Sequence, residues 1–250
     1  SMDYSKPILD GHLVRRYKRF LADVEVDGEL HTVHCANSGS MAGLLEEGYP
    51  VRISGPHGGK RKLPYTLEQI RIRRPDGHEC WIGVNTSIPN RLVEEIAVAG
   101  LLPGFEDCVN VRREVKLGDH SRIDIKLSFA DSQDAWVEVK NCTMVQADVT
   151  DKASVNMGSI ATVPDAVTTR GLKHLNVLME RVHAGERAAV VFTVQRDDAD
   201  RFAPARAFDP AYAERFYEVM EAGVVMIPIV ANVGKSGILL NGDTLPVLER

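Results

Sequence analysis

Two short segments carry residue types that phosphodiester chemistry needs. Ser121-Arg-Ile-Asp-Ile-Lys-Leu-Ser-Phe129 alternates Ile123, Ile125 and Leu127 with Arg122, Asp124 and Lys126. Ala135-Trp-Val-Glu-Val-Lys-Asn141 alternates Ala135, Val137 and Val139 with Trp136, Glu138 and Lys140. Alternation at every second residue marks a strand with one apolar face. The link from Ala130 to Asp134 is short and polar, so the strands are expected to form an antiparallel hairpin. With the turn centred near Ser132, Asp124 falls opposite Lys140, and Glu138 lies one diagonal step away. Opposite Cβ atoms lie about 5 Å apart and diagonal ones about 7–8 Å, so two carboxylates and an ammonium meet on one patch.

Such a patch suits a hard divalent cation. Asp124 and Glu138 can share Mg²⁺ or Mn²⁺, with the backbone carbonyl of Val139 as a further ligand. The ion would polarise a phosphodiester oxygen and acidify an attacking water, while Lys140 orients that water or stabilises developing charge. Glu114, in Arg112-Arg-Glu-Val-Lys116, is the candidate for an additional acid. The same spacing also fits a surface hairpin with Asp124–Lys140 and Lys126–Glu138 ion pairs, each worth at most about 1 kcal/mol. Spacing alone leaves both readings open.

Candidate polyanion contacts lie on both sides of this hairpin. Arg16, Tyr17, Lys18, Arg19 and Phe20 interleave cations with aromatic rings, the usual scheme for holding single-stranded nucleic acid. Lys60, Arg61 and Lys62 form a second basic cluster, and Asn37 opens a turn, Asn37-Ser-Gly-Ser40, whose amides could meet a phosphate. Arg122 flanks Asp124, and Arg170 and Lys173 stand where Thr168-Thr-Arg-Gly-Leu-Lys-His174 opens a helix with free N–H groups. A solvated basic rim explains the same residues without a ligand.

The elements that must position these residues divide the chain in two. Up to Val84, short strand candidates (Leu13–Val26, Leu30–Cys35, Pro50–Ser54, Thr66–Arg73, Glu79–Val84) alternate with Gly-, Asn- and Pro-rich turns, as in a small barrel of the oligonucleotide-binding (OB) kind. From Asn85 the order becomes αβββαβ with an added αβ. A helix over Arg91–Ala99 precedes strands at 110–117, 121–129 and 135–142; a helix over Thr169–His183 and an apolar strand at Ala188–Val194 follow. Asp209 then caps a third helix, with Pro210 at its first position and Gly223 past its end. Val224–Val230 closes as a strand that Pro228 consigns to an edge or a bulge. Thr143–Val163 reads as a long, weakly patterned loop. The expected organisation is an OB-like barrel over 2–85 and a mixed α/β sheet over 86–250.

Composition narrows the class. The 250 residues are 44% hydrophobic and 26% charged, ordinary for a globular protein. No apolar run reaches the roughly 20 residues needed to cross a bilayer, and neither a secretory signal nor a lipidation motif opens the chain. Cys35, Cys80, Cys108 and Cys142 are widely spaced, which suits reduced thiols and a cytoplasmic location without a membrane partner. His31, His34 and Cys35 alternate faces on a strand and so do not converge on zinc. The net charge of −5 hides an asymmetry, because the chain up to Val84 carries 12 Lys/Arg against 11 Asp/Glu. Oligomeric state is left open, a homodimer included.

The order of elements resembles the PD-(D/E)xK nucleases, whose acidic and lysine residues lie on the second and third strands of such a unit. Ile123-Asp124 stands where that motif has Pro-Asp. Blocks across the chain also resemble the sugar fermentation stimulation protein A (SfsA) family. They are Arg16-Tyr-Lys-Arg-Phe-Leu-Ala-Asp23, His34-Cys-Ala-Asn-Ser-Gly-Ser-Met41, Ser121-Arg-Ile-Asp124, Val137-Glu-Val-Lys140, Pro164-Asp-Ala-Val-Thr-Thr-Arg-Gly171 and Arg201-Phe-Ala-Pro-Ala-Arg206. The resemblance implies an OB-like domain joined to a PD-(D/E)xK-like domain, non-specific DNA binding and a regulatory role in sugar (maltose) metabolism. Combined with the residues above, it makes a metal-dependent nuclease acting on DNA or RNA the leading expectation, and a non-catalytic DNA-binding regulator the alternative. Thr143–Val163 is longer than that family's usual link.

Overall fold

The computed structural model describes residues 2–250. Six strands build the N-terminal barrel: β2 (Ile8–Tyr17), β3 (Leu21–Val26), β4 (Glu29–His34), β5 (Pro50–Ser54), β6 (Thr66–Arg73) and β7 (Glu79–Gly83), preceded by the short β1 (Met2–Asp3). Their order is β4-β3-β2-β5-β6-β7, and β4 meets β6 in parallel through the single pair His34↔Thr66. The circuit β2-β3-β4-β6-β5 is that of an OB barrel, closed narrowly at one seam, with β7 added on its rim. Leu13, Val24, Val33, Ile53, Ile70 and Ile82 fill its interior.

Leu13–Val26 is not one strand. Lys18 and Arg19 adopt positive φ (48° and 64°), so the chain reverses and β2 pairs back onto β3. Lys18, Arg19 and Phe20 are thereby exposed at a hairpin tip.

The second half contains α1 (Ile88–Val98), β8 (Asn110–Leu117), β9 (Ser121–Ser128), β10 (Ala135–Cys142), β11 (Met144–Gln146), β12 (Ile160–Val163), α2 (Thr169–His183), β13 (Arg187–Val194), β14 (Arg201–Pro204), α3 (Pro210–Ala222), β15 (Val225–Val233) and β16 (Gly237–Thr244). The main sheet runs β1-β16-β15-β13-β10-β9-β8, with β10, β13 and β15 parallel. Met2–Asp3 therefore completes this sheet and not the barrel. One face packs Leu92, Val137, Val191 and Ile229 against α1. The other packs Trp136, Val190, Phe192 and Phe216 against α2 and α3. From Ala188 onward β13 is apolar but for Thr193, because both of its faces are covered. Pro228 lies in an interior strand, beside a register shift between Ile229 and Ala231 that accommodates it.

Thr143–Val163 is a loop only in part. Its two ends fold as β11 and β12 and form a separate three-stranded sheet with β14, while 147–159 between them hold no strand and a single 3-10 turn at Lys152–Ser154. Buried Val145, Ile160 and Ala161 anchor the sheet, a pattern too short to signal strands from sequence. Among the described residues no helix is long and apolar enough to cross a membrane.

The barrel and the sheet meet through polar ties. Arg74 at the end of β6 pairs with Asp198 at 2.6 Å, and Asp198 also receives Arg196 at 2.6 Å. All three side chains are almost wholly buried. Gln69 donates to the Gly234 carbonyl, and a Cβ on Gly83 would collide with Gln195 Oε1. Burial opposes ionisation of Asp198, but the two guanidinia outweigh it and hold the carboxyl near 2. A depressed pKa stabilises the fold above the ordinary carboxylate range, and that contribution disappears as the pH falls toward 2. Asp198→Ala removes the carboxylate that two buried cations share, leaving Arg74 the exposed Asp76 and Arg196 only neutral acceptors, so a loss of about 3–5 kcal/mol is expected in denaturant unfolding at pH 7. A loss below about 1 kcal/mol would show the network to be unimportant.

Candidate active site

The hairpin forms, in a different register from that expected. β9 and β10 pair as Ala135↔Leu127, Trp136↔Lys126 and Val137↔Ile125, which brings Asp124 level with Glu138 and not with Lys140. Lys126 sets this register. It pairs with Asp134 at 3.3 Å and lies 4.6 Å over the Trp136 ring, so the expected Lys126–Glu138 and Asp124–Lys140 pairs do not form.

Pairing ends at Val137↔Ile125, and the strands then splay. The Val139 N–H, with no partner on β9, donates to Asp124 Oδ2 at 2.8 Å. Asn90 of α1 donates to Asp124 Oδ1 at 3.2 Å, and the Asp124 N–H points at Glu138 Oε1 at 3.4 Å. The β8–β9 ladder breaks at the same level, between Arg113↔Ile125 and Val115↔Ile123. Glu114 fills that break with φ 53° and an exposed side chain. The kink also reverses the strand's faces: Ile125 and Leu127 join the α1 side of the core, whereas Ile123 joins the α2 side. The expected single apolar face of β9 is therefore broken at Asp124.

Glu138 is 2% exposed, and its Oε2 lies 3.2 Å from His174 Nδ1 and 3.9 Å from Lys140 Nζ. Lys140 Nζ is itself 3.0 Å from the same His174 nitrogen. One ring nitrogen cannot serve both: as acceptor it takes a proton from Lys140, as N–H it donates to Glu138. Burial, with Glu138 beside it, pushes the Asp124 carboxyl up to about 6. Burial alone would raise Glu138 too, but the His174 contact and the Lys140 charge hold it below its ordinary value. Burial lowers Lys140, against the pull of both carboxylates.

A cleft of about 730 Å³ opens beside this group, between the barrel and the main sheet. Lys140 lines it, together with Tyr17, Lys18 and Arg19 of the β2–β3 hairpin and Thr168 and Gly171 at the start of α2. Asp124 and Glu138 lie behind Lys140, outside the lining. Arg16 also faces the cleft, but its guanidinium is bound to the carbonyls of Arg19, Gly39 and Asn37. Asn37 is buried and ties the Val84 carbonyl to its own turn. Both hold the cleft wall together, and the three carbonyls take three of the five N–H donors of Arg16.

The remaining basic residues do not converge there. Arg61 binds Thr66 and lines a second cavity of about 360 Å³, beside buried Glu68. Lys60 and Lys62 are exposed on the same loop, outside the lining of either cavity. Arg122 is exposed on β9, level with Lys116. Lys173 reaches the His120 carbonyl at 3.3 Å. Arg170 is exposed and close enough to depress Lys140. Asn90 is the member of the site that the sequence does not signal. His174 stands in the helix-opening segment that the sequence marks as a source of cations beside a phosphate, one helical turn after Arg170; its contacts with Glu138 and Lys140 are not legible there. Among the described residues His78, Cys80 and Asp197 also approach within ligand distance of one another, at the barrel rim away from this site.

Because its folded-state pKa stands above the ordinary value, Asp124 contributes fully to stability below about pH 4 and loses that contribution as the pH rises through about 6. In chelator, Asp124→Asn is expected to raise stability by about 1–3 kcal/mol at pH 8 and to change little at pH 4. Denaturant midpoints at the two pH values measure this, and a destabilised variant at pH 8 would contradict it.

Comparison with known proteins agrees with this architecture. Residues 14–84 match the family model of the SfsA N-terminal OB domain, and residues 87–237 match that of the sugar fermentation stimulation protein RE domain. A sugar fermentation stimulation protein homolog from Geotalea uraniireducens is 43% identical over 237 residues, covering 94% of this chain and 95% of the relative. One from Desulfotalea psychrophila is 39% identical over 252 residues, covering 100% of both chains. The structure of Pyrococcus furiosus SfsA in complex with Ca²⁺ superposes with a TM-score of 0.84 at 25% identity, covering 99% of this chain and 98% of that one. The chain, with its OB barrel joined to a mixed-sheet domain, belongs to the SfsA family.

Proposed function

We propose that this protein binds nucleic acid in the interdomain cleft and hydrolyses phosphodiester bonds at Asp124, Glu138 and Lys140, as a divalent-metal-dependent nuclease of PD-(D/E)xK type. The observation that carries this reading is the convergence of two buried carboxylates and an ammonium at the splayed end of the β9–β10 pair, beside a cationic cleft. The donors fit a hard cation. Asp124 and Glu138 offer carboxylate oxygens at one level; burial first and the Glu138 charge second raise Asp124, and a divalent ion offsets both. The Val139 carbonyl is the third candidate ligand. Mg²⁺ or Mn²⁺, when bound, supplies a Lewis acid and an acidified water. The Ca²⁺ complex of the Pyrococcus relative supports a site for oxygen-preferring ions.

The side chains divide the remaining work. Asp124 is fixed by Val139 and Asn90, so its carboxylate is oriented before any ligand arrives. Lys140 lies between Glu138 and the cleft, where its ammonium can hold a phosphate oxygen or stabilise charge on it. His174 steadies Glu138 or Lys140 according to which nitrogen carries its proton. Glu114 is the candidate for an additional acid, at the break in the β8–β9 ladder.

The placement of Asp124 and Glu138 outside the cleft lining favours a second reading. In it the protein is a non-catalytic DNA-binding regulator, with a role in sugar (maltose) metabolism that accords with the name its relatives carry.

Incubation with labelled DNA and RNA, with Mg²⁺, Mn²⁺ or chelator, separates the two. Glu138→Gln and Lys140→Ala are each expected to lower metal-dependent cleavage by about 10²–10³-fold or more; Glu138→Gln should leave binding in chelator intact, whereas Lys140→Ala also removes one cation from the cleft. Cleavage that survives either change removes the catalytic assignment, and binding without cleavage under every metal condition selects the regulator. Affinity should also fall steeply with salt, because phosphate contacts release counterions. Four such contacts give a slope of log K against log salt of about −3 for single strands, and a flat dependence would sink the cleft as a polyanion site.

A further inference from the structure

We infer that the interdomain cleft admits single-stranded nucleic acid and excludes the intact duplex; this rests on the polyanion reading of the cleft proposed above. Three observations carry it. The first is size. The cleft holds about 730 Å³, the scale of a small-ligand pocket at about 300–1,000 Å³ and not of a channel that takes in a double helix. The second is closure. Ser40 Oγ on the barrel side donates to the Asp165 carbonyl on the sheet side at 2.9 Å, and a Cβ on neighbouring Gly39 would stand 3.4 Å from Asp165 Oδ1. The two walls are thus bridged at one edge, and a double helix cannot lie across that bridge to bring a phosphate to Lys140. A single strand, one backbone wide, can thread beside it.

The third observation is the chemistry of the lining. Arg16, Lys18, Arg19 and Lys140 face one carboxylate, Asp165, a local excess of three positive charges in a chain of net charge −5. Next to them stands the Tyr17 ring. Its hydroxyl is tied to Asp23 at 3.1 Å, and the Arg15 guanidinium lies 4.3 Å from its centroid. The half-exposed ring is therefore held in place before a ligand arrives, with Arg15 covering one face and the other face the one on which a base would stack. Every base has a π-face, so such a platform reads strandedness and not sequence. Duplex bases are already stacked and offer it nothing.

The test uses the full chain in chelator, with fluorescent single-stranded DNA and RNA and a blunt duplex of the same sequence. Single strands are expected to bind at least tenfold tighter than the duplex. Tyr17→Leu should weaken single-strand binding about tenfold, whereas Tyr17→Phe, which keeps the ring, should retain it. Lys18→Asn with Arg19→Asn serves if Tyr17→Leu fails to fold, since asparagine tolerates the positive φ of this turn; the double variant should weaken single strands and make the salt dependence shallower. With Mn²⁺ present, cleavage of a tailed duplex should stay within the tail. Equal binding of duplex and single strand, or unchanged single-strand binding in both Tyr17→Leu and the double variant, overturns the inference. Selective single-strand binding with no cleavage sustains it and removes the nuclease reading instead.

Discussion

One backbone N–H organises the site. At Val139 the chain leaves its pairing with β9, and a buried amide without a partner would cost about as much as a lost hydrogen bond. Asp124 supplies the acceptor. That bond holds the strands apart at the level where Glu138 faces α2, and it keeps a carboxyl buried against electrostatic opposition. Flush pairing of β9 and β10 would spend the same amide on the ladder and leave no space between the carboxylates. The left-handed residue at Glu114 accommodates the break on the neighbouring strand. A non-glycine residue in that conformation is uncommon and costs energy, and here it stands level with Asp124.

The second constraint is the docking of the barrel. Arg74 and Arg196 converge on Asp198, and the Ser40–Asp165 bond crosses the cleft from the other side. Between these ties lies a fixed, cationic space with Lys140 in its wall. A barrel alone would present Tyr17, Lys18 and Arg19 on an open hairpin, and a sheet alone would present Lys140 on a strand end. The cleft exists only where both are held.

Burial and charge then sort the basic residues. Of those marked as polyanion contacts, Lys18 and Arg19 border the cleft with exposed side chains, whereas three backbone carbonyls take most of the donors of Arg16. Lys60, Arg61 and Lys62 belong to a different surface. Clustering in sequence brought both basic groups to notice equally, because charge patterning carries no information on which hydrogen-bond acceptors fold nearby.

The sequence by itself determined the elements and the chemistry they carry. Period-two alternation marked β9 and β10, helical spacing marked α2, and Asp209, Pro210 and Gly223 bounded α3, since these signals arise from local backbone sterics and from the need to bury one face. It also placed Asp124, Glu138 and Lys140 on one hairpin. Register, the face reversal at Asp124, the reach of His174 and Asn90, the strands within Thr143–Val163 and the cleft itself were decided by tertiary structure. Each depends on side-chain contacts that spacing does not specify, across the hairpin for Lys126 with Trp136 and between distant segments for Glu138 with His174 and Ser40 with Asp165, and local patterning does not encode which partner completes a hydrogen bond or fills a face.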